Sequence, residues 1–329
     1  MKKLLFWIRN ARYQALPQSA LPAILAICMA SRNNDFSLSL SLVALFGILL
    51  AHLSLNLFDD YFDYRHKDSN FRDRLQHEGF RARLYKCHYL TSGATTLSEL
   101  LRFCLIFGAI ALLCGGVIGY FRGFIILWLV LAGALLGISY SGAPLRLSYR
   151  GLGEILIGIM FGPLLMIGVY VSACGQISMP LLIVSLPVGL LVMNIVYTHA
   201  VMDSVPDKAV GKMTFALRLN TPKAMLQVSF VLNVLPFAGI LIGIVAGILS
   251  PYYLFTFLLL PLAVALFRML SAFVHDPDRK FTPRWWMGPM GNWKHFEQLG
   301  LDWFLIRWFL ARNLLSFFCI ILIIISFIR

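Results

Sequence analysis

The chain alternates between long uncharged runs and shorter charged ones. Stretches without Asp, Glu, Lys or Arg cover 13–31, 36–58, 103–121, 123–145, 155–202, 224–267 and 313–328. A helix crosses a bilayer with ~20 apolar residues, so each run can hold at least one span. The run 155–202 is too long for one helix and is expected to break at CGQISMP (174–180); the run 224–267 is expected to break at LSPYY (249–253). Nine helices result. The last run is short, but Phe304–Leu310 can extend it if Arg307 and Arg312 snorkel towards the interface. Pro22 is expected to kink the first helix or to lie near its first turn. Barrel strands would alternate apolar and polar residues at period two, which these runs do not.

Composition agrees. Of 329 residues, 59% are hydrophobic and 13% charged, against ~25% charged in soluble domains. The reading is an all-α polytopic membrane protein. Its nine helices would surround a central cavity, and residues 1–329 would form a single domain. The N-terminal MKKLLFWIRNAR has too short an apolar stretch for a cleavable signal. The six cysteines lack CxxC spacing and are expected to be reduced residues packed in or near helices. Of 28 Lys and Arg, only Arg32, Arg122 and Arg329 fall on one of the two alternating sets of loops. The other set should be cytoplasmic, with the N-terminus inside and the C-terminus outside. The net charge of +13 is thus accounted for by topology and does not point to nucleic acid.

Two acidic clusters end two of these spans at one level. NLFDDYFDYRHKD (56–68) closes the second span. At ~100° per residue, Asn56, Asp60 and Asp63 fall within about 60° of each other, and Asp59 flanks them. HAVMDSVPDKAVGKMT (199–214) closes the sixth span; His199, Asp203 and Asp207 share a face if the helix continues, which Pro206 limits. Like charges at ~4 Å repel by about 4 kcal/mol at an effective dielectric near 20, so such anions need cations. Hard oxygen ligands with room for water suit Mg²⁺, which completes its shell with substrate phosphate. A phosphate-bearing substrate is therefore expected, and Lys212, Arg146, Arg150, Lys67, Arg72 and Arg74 are nearby cations for it. Alternatively, the aspartates are solvated loop residues or a proton relay, as in a cation- or proton-coupled transporter.

Together these stretches resemble the UbiA superfamily of intramembrane prenyltransferases. The resemblance rests on Asn56-LFD-Asp60-YF-Asp63, on Asp203-SVP-Asp207-KAVGKMT, on Tyr140, Ser141, Pro144 and GLGE (151–154), and on ARYQALPQSALPAIL (11–25). It implies transfer of a prenyl group from a polyprenyl diphosphate to an aromatic quinone precursor, with Mg²⁺ between carboxylates and diphosphate. On that pattern Asn56, Asp60, Asp203 and Asp207 would hold metal, supported by Asp63. Arg12, Tyr140, Ser141 and Lys212 would meet the diphosphate. Asp59 stands where Asn is often found. Many members carry Asn and Arg where this chain has His199 and Met202, so one cation of the pattern is missing, a role open to Arg146 or Arg150. His199 would bond a metal-bound water or phosphate, or else be a packed interior histidine.

The first motif and YSGAPLRLSYRGLGE look most like the 1,4-dihydroxy-2-naphthoate polyprenyltransferases of menaquinone synthesis. This implies demethylmenaquinone as product and a bacterial inner-membrane location; 4-hydroxybenzoate is the alternative acceptor. Residues 275–303, with Trp285, Trp286, Trp293 and Trp303, fit the family least and read as an interfacial amphipathic insert.

Overall fold

The computed structural model describes residues 2–66, 87–209 and 211–328. Ten main helices follow one another: α1 (Lys2–Asn10), α2 (Pro17–Ala30), α3 (Leu38–His66), α4 (Leu97–Arg122), α5 (Phe124–Ser141), α6 (Gly153–Cys174), α7 (Met179–Met202), α8 (Pro222–Val245), α9 (Pro251–His275) and α10 (Asp302–Phe327). Among the described residues, the eight from α3 to α10 are long and apolar enough to cross a membrane. The chain is a multi-pass integral membrane protein.

The first expected span differs. Arg12 adopts a left-handed conformation (φ 61°), a 3₁₀ turn covers Tyr13–Ala15, and Pro17 opens a helix of only 14 residues. At 1.5 Å per residue that helix spans about 21 Å, short of the ~30 Å hydrocarbon core. Proline starts helices well because its missing N–H is not needed in the first turn, which sets the start at Pro17 and not at residue 13. Pro22 is buried in its interior. Ala23, Leu25, Ala26 and Ala30 have no exposed surface, packed between α6 and α10.

Both internal breaks fall where expected. Gly175 (φ 73°) ends α6, and the Ser178 hydroxyl accepts from the Leu181 amide to open α7. α8 ends at Val245, and Pro251 begins a 3₁₀ stretch that leads into the α-helical part of α9. α6 widens to a π-turn at Met160–Leu164, around Pro163. There it crosses α7 in backbone contact: a Cβ on Gly162 would lie 2.4 Å from Gly189 Cα, and one on Gly158 3.1 Å from Gly189 O. Gly158-xxx-Gly162 thus acts as a small-residue helix seam.

The α4–α5 hairpin turns apolar surface outward, with Leu113, Phe124 and Trp128 exposed, as lipid contact requires. Its tip is clamped by Arg122, which donates to the carbonyls of Ser172 (3.1 Å), Asp35 (2.8 Å) and Ala173 (2.7 Å). Arg122→Ala should destabilise the protein by about 1–3 kcal/mol, read as a lower thermal midpoint in detergent, with kcat unchanged. An unaltered midpoint would show the clamp to be idle.

The expected snorkelling of Arg307 is overturned: it has no exposed surface. Its guanidinium donates to Met269 O (2.8 Å) and Trp303 O and lies over the rings of Phe273 and Phe281. Arg312, half-buried, lies over Phe309 at 4.5 Å. Residues 276–301 pack back along α10: Lys280 pairs with Asp302, Phe296 meets Phe309, and Asn313 donates to the carbonyls of Met287 and Pro289. Met287 and Met290 are buried, while Trp285 is 93% exposed. None of the six cysteines, all among the described residues, forms a disulfide.

Candidate active site

Asp60, Asp63, Asp203 and Asp207 are at most 4% exposed and Asp59 is 9% exposed. Buried carboxylates need donors or cations. The last turns of α3 meet several. Arg12 Nη2 donates to Asp59 Oδ2 (3.0 Å) and to Asp60 Oδ1. Tyr89 OH, from the short helix His88–Thr91, donates to Asp60 Oδ2 at 3.0 Å. Ser141 Oγ, at the end of α5, donates to Asp59 Oδ1 at 2.6 Å. Tyr149 OH donates to Asp63 Oδ1. Asn56 turns its amide to the Ala11 carbonyl (2.9 Å), beside Arg12. Asp59 therefore joins the Arg12 turn, α3 and α5.

The second motif does not form one continuous helix. α7 stops at Met202, Asp203 leaves helical geometry (φ −93°, ψ 14°), and a separate turn covers Ser204–Ala209. His199 and Asp203 keep the i,i+4 relation, with Nδ1 3.7 Å from Oδ2. Asp207 is placed by backbone bonds, its N–H to Asp203 O (2.9 Å) and its carbonyl receiving Lys212 N–H (2.8 Å). His199 is partly exposed and packs edge-on against Phe304. Met202 is buried in the apolar cluster that includes Phe304 and Leu270.

Carboxylates of both motifs act electrostatically on Lys212. Burial alone would lower its pKa. Tyr140, Asp207, Asp63 and Asp59 outweigh that and raise it, so one amino group feels carboxylates of both clusters. Its Nζ lies 5.9 Å from the centre of the Tyr149 ring. The loop after α5 and the first turn of α6 are tied to the segment after α7 in three further ways. Arg150 and Met213 form a parallel β-bridge, Arg218 Nη1 donates to Arg150 O (2.9 Å), and Phe215 N donates to Glu154 Oε1 (2.9 Å). Arg12 behaves as Lys212 does: burial lowers its pKa, and Asp60 and Asp59 more than restore it. Both residues are therefore permanent cations.

The remaining expected cations are placed differently. Arg146 is half-buried, with a left-handed backbone (φ 44°). Arg150 is exposed and donates to Pro144 O at 3.1 Å. Lys67, Arg72 and Arg74 lie outside the described residues. Tyr140 is half-buried; a Cβ on Gly153 would stand 3.2 Å from its ring.

Tyr89 and Tyr149 escaped the reading of the sequence. Tyr149 lies inside the YRGLGE segment, yet a tyrosine among arginines gives no sign of a carboxylate partner. Tyr89 has no local signal, because its contact with Asp60 spans 29 positions. Burial and the charge of Asp60 push the Tyr89 phenol up, so it remains a donor. Tyr89→Phe should weaken divalent-cation binding about three- to tenfold, measured by titration calorimetry. Unchanged affinity would mean that the phenol does not orient Asp60.

Among the described residues, no three His, Cys, Asp or Glu side chains converge as a ready-made metal cluster. The donor set is nevertheless hard oxygen, in buried pairs on two helix ends. Mg²⁺ binding by one or two carboxylates, with water and phosphate completing the shell, has this form. The residues fit such an ion.

Comparison with known proteins gives the same picture. The model of the UbiA prenyltransferase family matches residues 19–288. The 1,4-dihydroxy-2-naphthoate octaprenyltransferase of Bacillus subtilis is 26% identical over 252 residues, covering 76% of this chain and 77% of that one. Two solved structures share the fold. One, from work on digeranylgeranylglyceryl phosphate synthase in membranes, has a TM-score of 0.63, 18% identity and coverage of 98% and 99%. The other, a UbiA homologue from Archaeoglobus fulgidus bound to GPP and Mg²⁺, has a TM-score of 0.59, 15% identity and coverage of 96% and 99%. With the family model spanning most of its length, this chain belongs to the UbiA prenyltransferase family and is a membrane prenyltransferase.

Proposed function

We propose that the protein transfers a polyprenyl group from a polyprenyl diphosphate to 1,4-dihydroxy-2-naphthoate, with Mg²⁺ and loss of the carboxylate, giving demethylmenaquinol, the reduced form of demethylmenaquinone. The observation that carries the acceptor assignment is the similarity, over three quarters of the chain, to a dihydroxynaphthoate octaprenyltransferase. Asn56, Asp60, Asp203 and Asp207 would hold the ions, with Asp63 and Asp59 beside them. The bound ions would neutralise the departing diphosphate.

The chain's own groups do the rest. Arg12 and Lys212 are fixed cations on either side of the carboxylates and hold the diphosphate oxygens. Tyr140 donates to it from the end of α5, where Ser141, its proton given to Asp59, orients that carboxylate. The allylic C–O bond breaks, and its electron pair leaves with the diphosphate. A ring carbon of the acceptor then supplies the pair for the new C–C bond, and loss of CO₂ returns a pair to the ring. The apolar helix walls below the site keep water from the allylic cation. On this reading α2 completes a nine-helix bundle, the acidic end faces the cytoplasm, and the membrane is the bacterial inner membrane.

Membranes containing the protein, incubated with Mg²⁺, octaprenyl diphosphate and either dihydroxynaphthoate or 4-hydroxybenzoate, should yield a decarboxylated prenylated naphthol by mass spectrometry. Product from hydroxybenzoate alone would overturn the acceptor assignment.

A further inference from the structure

One side chain interrupts the hydrocarbon of the spans below the acidic site. Between Leu38 and Phe58, α3 carries no Asp, Glu, Lys or Arg, yet it holds His52. A titratable ring inside a membrane span is costly and calls for a partner or a task. His52 is only 6% exposed. It lies seven residues before Asp59 and eleven before Asp63 on one helix. At ~100° and 1.5 Å per residue it falls within about 20° of each, and about 10 Å below Asp59. The imidazole therefore stands on the stripe of α3 that carries the carboxylates.

Two neighbours hold the ring. From α2, Ser19 Oγ lies 2.8 Å from Nδ1. From the π-turn of α6, Phe161 packs edge-on, with ring centres 4.9 Å apart. Such turns inside α-helices are frequent at functional sites. Here the turn sets an aromatic ring against the imidazole.

The Ser19 contact fixes the tautomer. A hydroxyl has one hydrogen, and that of Ser19 goes to Leu16 O at 3.0 Å. Its oxygen is thus the acceptor, and His52 Nδ1 carries the proton. Nε2 is left with a lone pair, and among the described residues it has no hydrogen-bond partner.

His52, Phe161 and Phe58 line one cleft, of about 460 Å³, between α3, α4, α5 and α6. Ser54 and Ser172, also on its wall, spend their hydrogens on Cys104 O (2.8 Å) and Gly168 O (2.6 Å). Nε2 is therefore the strongest acceptor that the side chains of this wall offer. A lone pair in hydrocarbon calls for a donor that arrives with a substrate. A prenyl chain has no N–H or O–H to give; a phenolic ring has.

We propose that His52 Nε2 accepts a hydrogen bond from a ring hydroxyl of the aromatic acceptor and so holds the ring with its nucleophilic carbon towards the acidic end. Phe58 and Phe161 supply apolar faces for that ring. A bicyclic acceptor spans the two helical turns between His52 and Asp59. The inference rests on the reading of the protein as a prenyltransferase acting on a phenolic acceptor, and adds which residue recognises that acceptor.

Side chain and substrate can be varied together to test it. The analogues 1-hydroxy-2-naphthoate and 4-hydroxy-2-naphthoate each lack one hydroxyl of the assigned acceptor. With Mg²⁺ and inorganic pyrophosphate present, one of them should bind the wild-type protein about tenfold more weakly than 1,4-dihydroxy-2-naphthoate by titration calorimetry. In His52→Phe, which keeps the bulk of the ring, that difference should disappear. In turnover, His52→Phe should raise KM for dihydroxynaphthoate about tenfold and leave KM for octaprenyl diphosphate unchanged. His52→Gln, whose amide can donate to Ser19 Oγ and keep an oxygen for the hydroxyl, should recover most of the loss. Ser54→Ala, on the same wall, should match wild type. An equal penalty for the missing hydroxyl in wild type and His52→Phe, or KM values for both substrates raised together, would overturn the proposal and leave the imidazole a packing group between α2 and α3. If neither protein binds dihydroxynaphthoate while wild type prenylates 4-hydroxybenzoate, the acceptor assignment fails instead. The same two proteins titrated with 4-hydroxybenzoate and benzoate then decide the role of His52.

Discussion

Asp60→Asn is expected to reduce prenyl transfer by at least about a thousandfold, since several kcal/mol of charge stabilisation at the diphosphate would be lost. Asp60 has no exposed surface, and both its oxygens have partners, Arg12 on Oδ1 and Tyr89 on Oδ2. The asparagine variant keeps the volume but loses the charge. Asp203→Asn, from the other helix end, should be as severe. The double variant should be little worse than either single one, because residues that act as a unit are not additive. Product quantified by mass spectrometry, with thermal melts to show folding, would decide it. Either single variant retaining more than about a tenth of wild-type rate would remove the carboxylates from the reaction.

Removing Arg12 should be felt twice. Its guanidinium reaches both Asp59 and Asp60 and is only 24% exposed. Breaking a buried pair costs about 3–5 kcal/mol when one charge is left behind; the partial exposure here brings the expected loss to about 2–3 kcal/mol. Arg12→Ala should therefore melt earlier in detergent, and Mg²⁺ should recover part of the difference by standing in for the lost charge. Activity should fall as well, through a higher KM for the prenyl diphosphate, and Mg²⁺ should not recover that part. A variant as stable as wild type without Mg²⁺ would show that the carboxylates do not depend on Arg12.

How much of this could be read from the sequence depended on the kind of contact. The spans were legible because hydrocarbon tolerates few charges, so runs free of Asp, Glu, Lys and Arg mark the bodies of α3 to α9, while α10 begins at Asp302, eleven residues before its run and close to the expected extension through Phe304–Leu310. Both internal breaks were legible from Gly175 and Pro251. The first span was not, because a left-handed residue at Arg12 is not encoded by hydropathy. The helical wheel grouped Asn56, Asp60 and Asp63, but a wheel cannot say that Asn56 turns to the Ala11 carbonyl. Nor could it show that Asp59, which the wheel placed at the flank of the cluster, is held by Arg12 and Ser141. The i,i+4,i+8 reading of His199, Asp203 and Asp207 held for one step only, since α7 ends before Asp203. Arg307 misled because a cation near a helix end is usually drawn to water. Here two backbone carbonyls and two aromatic rings supply what water would.

The backbone contact between Gly158, Gly162 and Gly189 has a mechanical consequence. Gly189 lies on α7, fourteen residues before Asp203, which follows the last turn of that helix, about 21 Å at 1.5 Å per residue, so the crossing acts as a fulcrum and α7 as a lever arm ending at the second acidic motif. A methyl group added at Gly189 would meet Gly158 O at 2.5 Å and would have to tilt the arm. A tilt of about 3° moves the far end by roughly 1 Å over that length, comparable to the misplacement that can cost about a hundredfold in rate. The spacing between the two halves of the site is thus gauged by three residues that have no side chain at all.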